Sequence, residues 1–307
     1  MSPRHFELRR ALPTLGTVGV AVHHLTSYKN PGRGPFTHDI LYCSFIARGR
    51  ATHRVGDDKY EESAGSFSVV GYGVPHEILT GGRSVDHYNL YLDPTRHPLP
   101  RLHPSLDRAL YRLLPLHPAL SHRLNRLTRI MVPEARAMAT YLRAIEAEQG
   151  SDEPGRDTAL LALLQLILLQ IARAVALTEG SLAVGGALDP LMEDVSRRLE
   201  EGLEKPWSMT RLARAAGVTP EHFSRRFARY AGCSPSAYLR SCRLQAAMAR
   251  LRSTDQPILA IAGDCGFSDL ANFNRTFRRE LKITPSSYRK RVRSLAPEAA
   301  PRSPRSR

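Results

Sequence analysis

The chain repeats itself near its C-terminal end, and that repeat constrains the fold more than any other feature. Phe223, Arg225, Phe227, Arg229, Pro235, Ser236 and Tyr238 recur fifty positions later as Phe273, Arg275, Phe277, Arg279, Pro285, Ser286 and Tyr288. Seven matches at one fixed offset identify a duplicated supersecondary unit. Upstream, Leu212-Ala213 with Gly217 parallels Ile261-Ala262 with Gly266 at an offset of 49, so the second copy carries one more residue in its turn.

Each copy reads as helix, tight turn, helix. In the first, Ser208 caps a short helix that buries Leu212 and Ala216, and Gly217 supplies the left-handed conformation that ends it. Thr219 caps the following helix, Pro220 takes its first position, and Glu221 suits the positive end of its dipole. Ala213 has to be small, because two helices crossing steeply at a short turn approach closely. These are the requirements of a helix-turn-helix.

Helix geometry then sorts the side chains. Phe223 and Phe227, four apart, share the buried face, which leaves Glu221, Arg225, Ala228 and Arg229 opposite, with His222 flanking. The same construction in the second copy exposes Ala271, Asn272, Arg275, Arg278 and Arg279. An arginine stands at the centre of the exposed face both times. Arginine pairs bidentately with guanine edges and asparagine with adenine, whereas outlying basic and polar groups hold phosphates. The expected phosphate contacts are His222, Arg226 and Arg229 in the first unit, and Asn274, Arg278 and Arg279 in the second. For His222 and Arg226 a solvated charged face is the alternative reading.

Charge agrees with a polyanionic partner. Residues 190–307 hold 23 basic and 11 acidic side chains, a net +12, whereas residues 1–189 hold 21 and 18, a net +3. An excess so confined to one half attracts nucleic acid, although composition alone fits a basic solvated surface equally well. Between the two units, Pro235 to about Thr254 reads as one helix of roughly 30 Å. That is close to the ~34 Å between successive major grooves on one face of DNA. One chain would therefore place both recognition helices in adjacent grooves of double-stranded DNA, on an asymmetric site and not on a palindrome.

The segments Leu212 to Leu251 and Ile258 to Lys290 together resemble the AraC/XylS family of bacterial transcription regulators. Ile261-Ala262, Gly266-Phe267, Phe273, Arg275, Phe277, Thr284-Pro285 and Tyr288 carry the resemblance, which spans about Leu191 to Val292. One departure is Lys282, where the family places glycine and where Gly232 stands in the first unit. The resemblance implies base contacts by Glu221, Ser224 and Arg225, then by Asn272 and Arg275. It also implies a sequence-specific transcription regulator, with RNA polymerase as a further partner.

The first half has a different rhythm. Phe36, His38, Ile40, Tyr42, Ser44 and Ile46 alternate with Thr37, Asp39, Leu41, Cys43, Phe45 and Ala47, as in a strand covered on both sides. Turn signals at Arg48-Gly49, Gly56, Gly65, Gly71 to Pro75 and Gly81-Gly82 separate further short strands up to Leu92, which indicates a small antiparallel barrel. Gly65 and Pro75-His76 give residues 15–92 a loose resemblance to cupin-like sensor barrels. A small barrel holds one small ligand. Its identity is not legible in the sequence, and His38, Tyr42, His76 and His87 are the candidate lining residues. No metal or cofactor is expected: the His-x-His pair of a metal-binding cupin is missing, and His38, His53, His76 and His87 stand apart in sequence. With no nucleophile-base pair and no phosphate loop, catalysis is not expected either. A barrel serving only dimerisation, and an architectural protein binding DNA without sequence preference, are the competing readings.

The expected organisation is a multidomain α+β chain. A cupin-like antiparallel β-barrel with helices fills residues 1–177, a linker 178–189, and an all-α domain of two helix-turn-helix units 190–292. The units span about 208–230 and 258–280, and a disordered basic tail covers 293–307. Residues 159–177 are apolar nearly all round, but Gln165, Gln170 and Arg173 make a covered helix, in the core or against a second copy as a homodimer, a better reading than a membrane span. Arg9-Arg10 ahead of residues 11–22 resembles an export signal, but Pro13, Gly16 and Gly19 interrupt it and a strand is expected instead. Four scattered cysteines (Cys43, Cys233, Cys242, Cys265) fit a reduced, cytoplasmic protein.

Overall fold

The computed structural model describes residues 3–56, 58–100, 102–103, 106, 109–110, 113–118, 120, 128–177, 183–184, 189–231 and 233–294. It begins with β1 (Arg4–Phe6), followed by α1 (Leu8–Ala11), α2 (Pro13–Thr17) and β2 (Val20–Tyr28). Residues 11–22 are thus not a single strand. Pro13 takes the first helical position of α2, and Gly19, at φ 82°, turns the chain into β2.

The alternating run from Phe36 to Ile46 is also divided. β3 (Phe36–His38) and β4 (Leu41–Arg48) belong to different sheets, and the chain crosses between them at Asp39 and Ile40. Arg9 holds this corner, pairing with Asp39 at 2.5 Å and with Asp93 at 2.6 Å.

The remaining strands are β5 (Arg50–Val55), β6 (Asp58–Ser63), β7 (Ser66–Val70), β8 (His76–Leu79), β9 (Val85–Leu92), β10 (Thr128–Met131) and β11 (Ala183–Val184). They form a five-stranded sheet of order β1-β3-β8-β5-β6 and a six-stranded sheet of order β11-β10-β7-β4-β9-β2. The pairing is antiparallel except between β1 and β3. Register decides what faces inward. Tyr42 stands opposite Tyr91 and Val70, and Ser44 opposite Asn89 and Ser68, so these side chains share one face. The alternate residues Leu41, Cys43, Phe45 and Leu90 point the other way, into an apolar cluster with α3 (Ala135–Gln149) and α4 (Arg156–Leu177).

α4 is long and apolar enough to cross a membrane, yet Leu160, Leu164, Ile167, Ile171 and Val175 are buried inside this half. β2 is a sheet edge, and α3 supplies the partners that its backbone lacks. Gln149 Oε1 accepts from the Val22 N–H at 3.0 Å, Gln149 Nε2 donates to the Val22 carbonyl at 2.7 Å, and Glu146 accepts from the His24 N–H at 2.7 Å. Of the expected linker, residues 178–182 and 185–188 lie outside the described residues, while Ala183–Val184 pairs with β10. Residues 295–307, most of the expected tail, also lie outside them.

Asp189 caps α5 (Pro190–Glu201), which opens a run of helices: α6 (Met209–Ala215), α7 (Pro220–Ala231), α8 (Pro235–Ser253), α9 (Ile258–Asp264), α10 (Leu270–Leu281) and α11 (Pro285–Ser294). Ser208, Thr219, Ser234, Asp269 and Thr284 accept from backbone N–H groups at the starts of five of them. The duplication extends to packing. The Phe223 and Phe227 rings lie 6.2 Å apart and the Phe273 and Phe277 rings 5.5 Å. Tyr238 stands edge-on to Phe227 at 5.3 Å, as Tyr288 does to Phe277 at 5.9 Å. Lys282 adopts the left-handed conformation itself, at φ 59°, and its N–H still bonds to the Arg278 carbonyl at 2.9 Å.

α8 serves both units and also meets the sheet-bearing half. Arg243 donates to the carbonyls of Leu203 and Lys205, each at 2.9 Å. Further along, Gln245 donates to the Leu114 carbonyl at 2.9 Å and Arg252 to that of Leu99. Leu244, Met248 and Leu251 join the same apolar cluster as Leu110 and Leu113.

Candidate nucleic-acid interface and sensor interior

The sequence-derived face of α7 is the exposed one. Glu221, His222, Arg225 and Arg229 are exposed, Ser224, Arg226 and Ala228 half-buried, and Phe223 and Phe227 fully buried. On α10, Ala271, Asn274, Arg275, Arg278 and Arg279 are exposed while Phe273 and Phe277 are buried. Asn272 is half-buried at the start of α10. Its N–H donates to Asp269 at 2.6 Å, and its side chain lies within 3.4 Å of the Ser268 hydroxyl. Asp269 also accepts from the Ser268 hydroxyl at 2.9 Å, and the bonds from Asn272 and Ser268 hold its carboxyl below its ordinary range.

Arg226 differs from the rest of the set. Its guanidinium grips Asp189 through two hydrogen bonds, at 2.6 and 2.9 Å, and fastens α7 to the N-terminus of α5. The pairing raises the Arg226 pKa and lowers that of Asp189, so the pair is ionic. The sequence offered only an exposed cation there, because the partner lies 37 residues away.

Between the two sheets, the four histidine and tyrosine candidates come together. His76 lies 4.4 Å from Tyr42 and 5.2 Å from His38, ring centre to ring centre. His87 joins them through Asn89, whose Oδ1 accepts from the Tyr42 hydroxyl at 2.8 Å and from His87 Nε2 at 3.0 Å. Sequence reasoning missed His53, Glu62, Asn89, Ser44 and Tyr91 as members of this cluster. His53 Nδ1 donates to Glu62 at 3.2 Å, its ring is 5.7 Å from that of His76, and both members of the pair are fully buried. The alternation Ala51, His53, Val55 carried the signal, since it places His53 on the face that buries its neighbours.

The cluster forms a polar belt across the middle of the interior. One apolar group, including Leu15, Ile40, Val55 and Val70, closes it on one side, and Ile46, Ala51, Ile78 and Val85 close it on the other. Burial holds the His38, His76 and His87 imidazoles neutral. Desolvation pushes His38 down to about 4 and His87 down to about 4, and it lowers His76 well below 6.5 with help from His53 and His38.

The geometry defines a two-headed helix-turn-helix protein joined to a β-rich domain with a closed interior. Comparison with known proteins gives the same division. Residues 212–291 match the helix-turn-helix domain family and residues 19–164 the AraC-like ligand binding domain family. The chain is 31% identical over 102 residues to the regulatory protein SoxS of Escherichia coli, covering 33% of this chain and 95% of SoxS. It is 29% identical over 256 residues to the transcriptional activator RhaR of Yersinia pseudotuberculosis, covering 83% and 84% of the two chains. A Haemophilus influenzae helix-turn-helix regulator is 30% identical over 149 residues, 47% of this chain and 49% of its own, so the chain spans about half the length of some curated relatives it matches. The chain belongs to the AraC family of transcription regulators.

Proposed function

We propose that the chain regulates transcription by reading an asymmetric double-stranded DNA site with both recognition helices of one molecule, under the control of a small-molecule effector held in the barrel. The observation that carries this reading is one 19-residue helix, α8, about 28 Å long, which serves both units: its Tyr238 packs on Phe227 of α7, and its Leu244, Met248 and Leu251 share an apolar cluster with Phe273 and Phe277 of α10. Glu221, Ser224 and Arg225 on α7, and Asn272 and Arg275 on α10, face base edges in successive major grooves. His222, Arg229, Asn274, Arg278 and Arg279 hold phosphates, while Arg226 is assigned to anchoring α7. The organisation follows the same lines: a sensor domain over 1–177, a linker over 178–189, a DNA-binding domain over 190–292 and a basic tail beyond.

The protein acts in the cytoplasm, with RNA polymerase as its partner at the promoter, and performs no catalysis. A homodimer is favoured by Leu166 and Leu177 of α4, which stay 39% and 72% exposed. Selection of bound sequences from a random DNA pool at physiological salt tests the reading. The expected product is two unlike boxes about one helical turn apart. A palindrome would overturn the two-headed arrangement. Absence of any enriched motif, with and without cell extract, would leave an architectural protein that binds without preference.

A further inference from the structure

The polar belt of the barrel contains more hydrogen-bonding capacity than it uses, and the surplus is weighted to acceptors. His76 Nδ1 donates to the Val74 carbonyl at 3.0 Å, which leaves Nε2 of the neutral ring as a bare acceptor. His87 Nε2 donates to Asn89, which leaves its Nδ1 bare in the same way. Glu62 uses one carboxylate oxygen on His53, and its other oxygen, Oε2, has no partner. The Ser44 hydroxyl, His53 Nε2 and both nitrogens of His38 are likewise buried and unpartnered. All these residues are at most 5% exposed. A buried polar atom left unpaired costs about 1–3 kcal/mol, so a set of this size marks a place that something polar occupies.

The chemistry of that occupant follows from what the belt offers. It presents His76 Nε2, His87 Nδ1, His53 Nε2 and a carboxylate oxygen as acceptors, against one N–H of neutral His38 and the Ser44 hydroxyl as donors, and contains no lysine or arginine. An anion would bring further acceptors against these and meet no compensating charge. A hydrogen-bond-donating cation meets Glu62 for its charge, imidazole lone pairs for its protons, and the rings of Tyr42 and Tyr91, 5.8 Å apart, as aromatic surface. Among the described residues, no three His, Cys, Asp or Glu side chains come together closely enough to hold one metal ion. The acceptors are spread for a molecule, not converged on a point.

Resting on the effector reading above, we infer that the belt binds a small organic cation whose ammonium group donates to Glu62 Oε2, while further hydrogen-bond donors along the same molecule meet His76 Nε2 and His87 Nδ1. The effector class is thereby an amine, and carboxylates and phosphates are excluded.

The test uses the full chain, with histidine ring nitrogens labelled with 15N, titrated with ethylammonium and 1,4-diaminobutane against propionate, glycerol and zinc chloride. Calorimetry and the ring-nitrogen resonances give the readouts, and DNA affinity is followed in parallel. An amine is expected to bind, to move the resonances of the bare His76 and His87 nitrogens, and to bind about tenfold or more weakly to Glu62→Gln. Ser44→Ala removes one hydroxyl without disturbing the His53–Glu62 pair, so it serves should Glu62→Gln fail to fold, and it is expected to weaken amine binding severalfold. Binding of propionate, glycerol or zinc in place of the amines, with the same resonances moving, would overturn the ligand class and leave an effector site in the barrel. If no probe moves the resonances, the amine assignment falls. If cell extract then also leaves DNA affinity unchanged, the effector reading falls with it.

Discussion

Arg252 of α8 donates its guanidinium to the main-chain carbonyl of Leu99, so a buried cation of the helical half is held by the backbone of the sheet-bearing half. Gln245 repeats the arrangement on Leu114, and Arg291 on Arg96 at 3.2 Å. Hydrogen bonds from charged groups contribute about 1.5–3 kcal/mol each when buried. The Arg252→Met, Gln245→Leu double variant is expected to uncouple the halves, so that calorimetry shows two unfolding transitions where the parent shows one. A single unchanged transition would mean that the apolar contacts of Leu244, Met248 and Leu251 suffice.

Arg225 and Arg275 occupy equivalent positions on exposed helix faces. Each replacement by alanine is expected to cost about 1–3 kcal/mol at the selected DNA site and much less on random DNA. Fluorescence anisotropy at one fixed salt concentration measures both. Equal losses on the two DNAs would reassign these side chains to phosphates.

The two turn glycines look alike in sequence and differ in surroundings. Both have positive φ, 68° at Gly217 and 79° at Gly266. A Cβ on Gly217 meets nothing within 4 Å, whereas on Gly266 it would sit 2.0 Å from the Leu203 carbonyl oxygen. Gly217→Ala is therefore expected to lose about 1 kcal/mol from the backbone alone. Gly266→Ala is expected to lose several times as much, and urea denaturation of the two variants compares them. Lys282, left-handed without being glycine, points the opposite way. Lys282→Gly is expected to gain about 0.5–1 kcal/mol.

Acid should weaken the barrel through its histidines. His38 and His87 are both held down at about 4 by burial, while an unfolded histidine titrates near 6.5. Below about 6.5 the unfolded chain takes up protons that the folded chain refuses. Stability is thus complete above that pH and falls as pH drops toward 4, by about 1.4 kcal/mol per unit for each such histidine. Urea midpoints between pH 7 and 5 measure the slope, and His87→Gln is expected to reduce it. A flat profile would mean that the belt accepts protons without opening.

The helical half was legible in the sequence almost residue by residue, because caps, turns and the Phe223/Phe227 and Phe273/Phe277 pairs are local and stated twice. Even the packing of Tyr238 and Tyr288 follows from the repeat. The barrel interior was not. His53 and Glu62 meet across two strands, and the break between β3 and β4 depends on Arg9, some thirty residues away. Alternation shows that a strand has two faces, but only its neighbours decide which face turns into the interior and where the strand leaves its sheet. The Asp189 partner of Arg226 was hidden for a related reason, since an exposed position on a helix does not reveal a partner on another element.

One helix common to both heads has a consequence for how binding sites of such a protein can change. α8 fixes the distance between α7 and α10 and also their relative rotation. One residue added to or removed from its 19 would swing the second head by about 100° around the helix axis relative to the first. The helix is a ruler that also sets phase. On the proposed two-box reading, spacing between the boxes therefore cannot drift by single steps in the protein, and promoters would have to conform to the ruler.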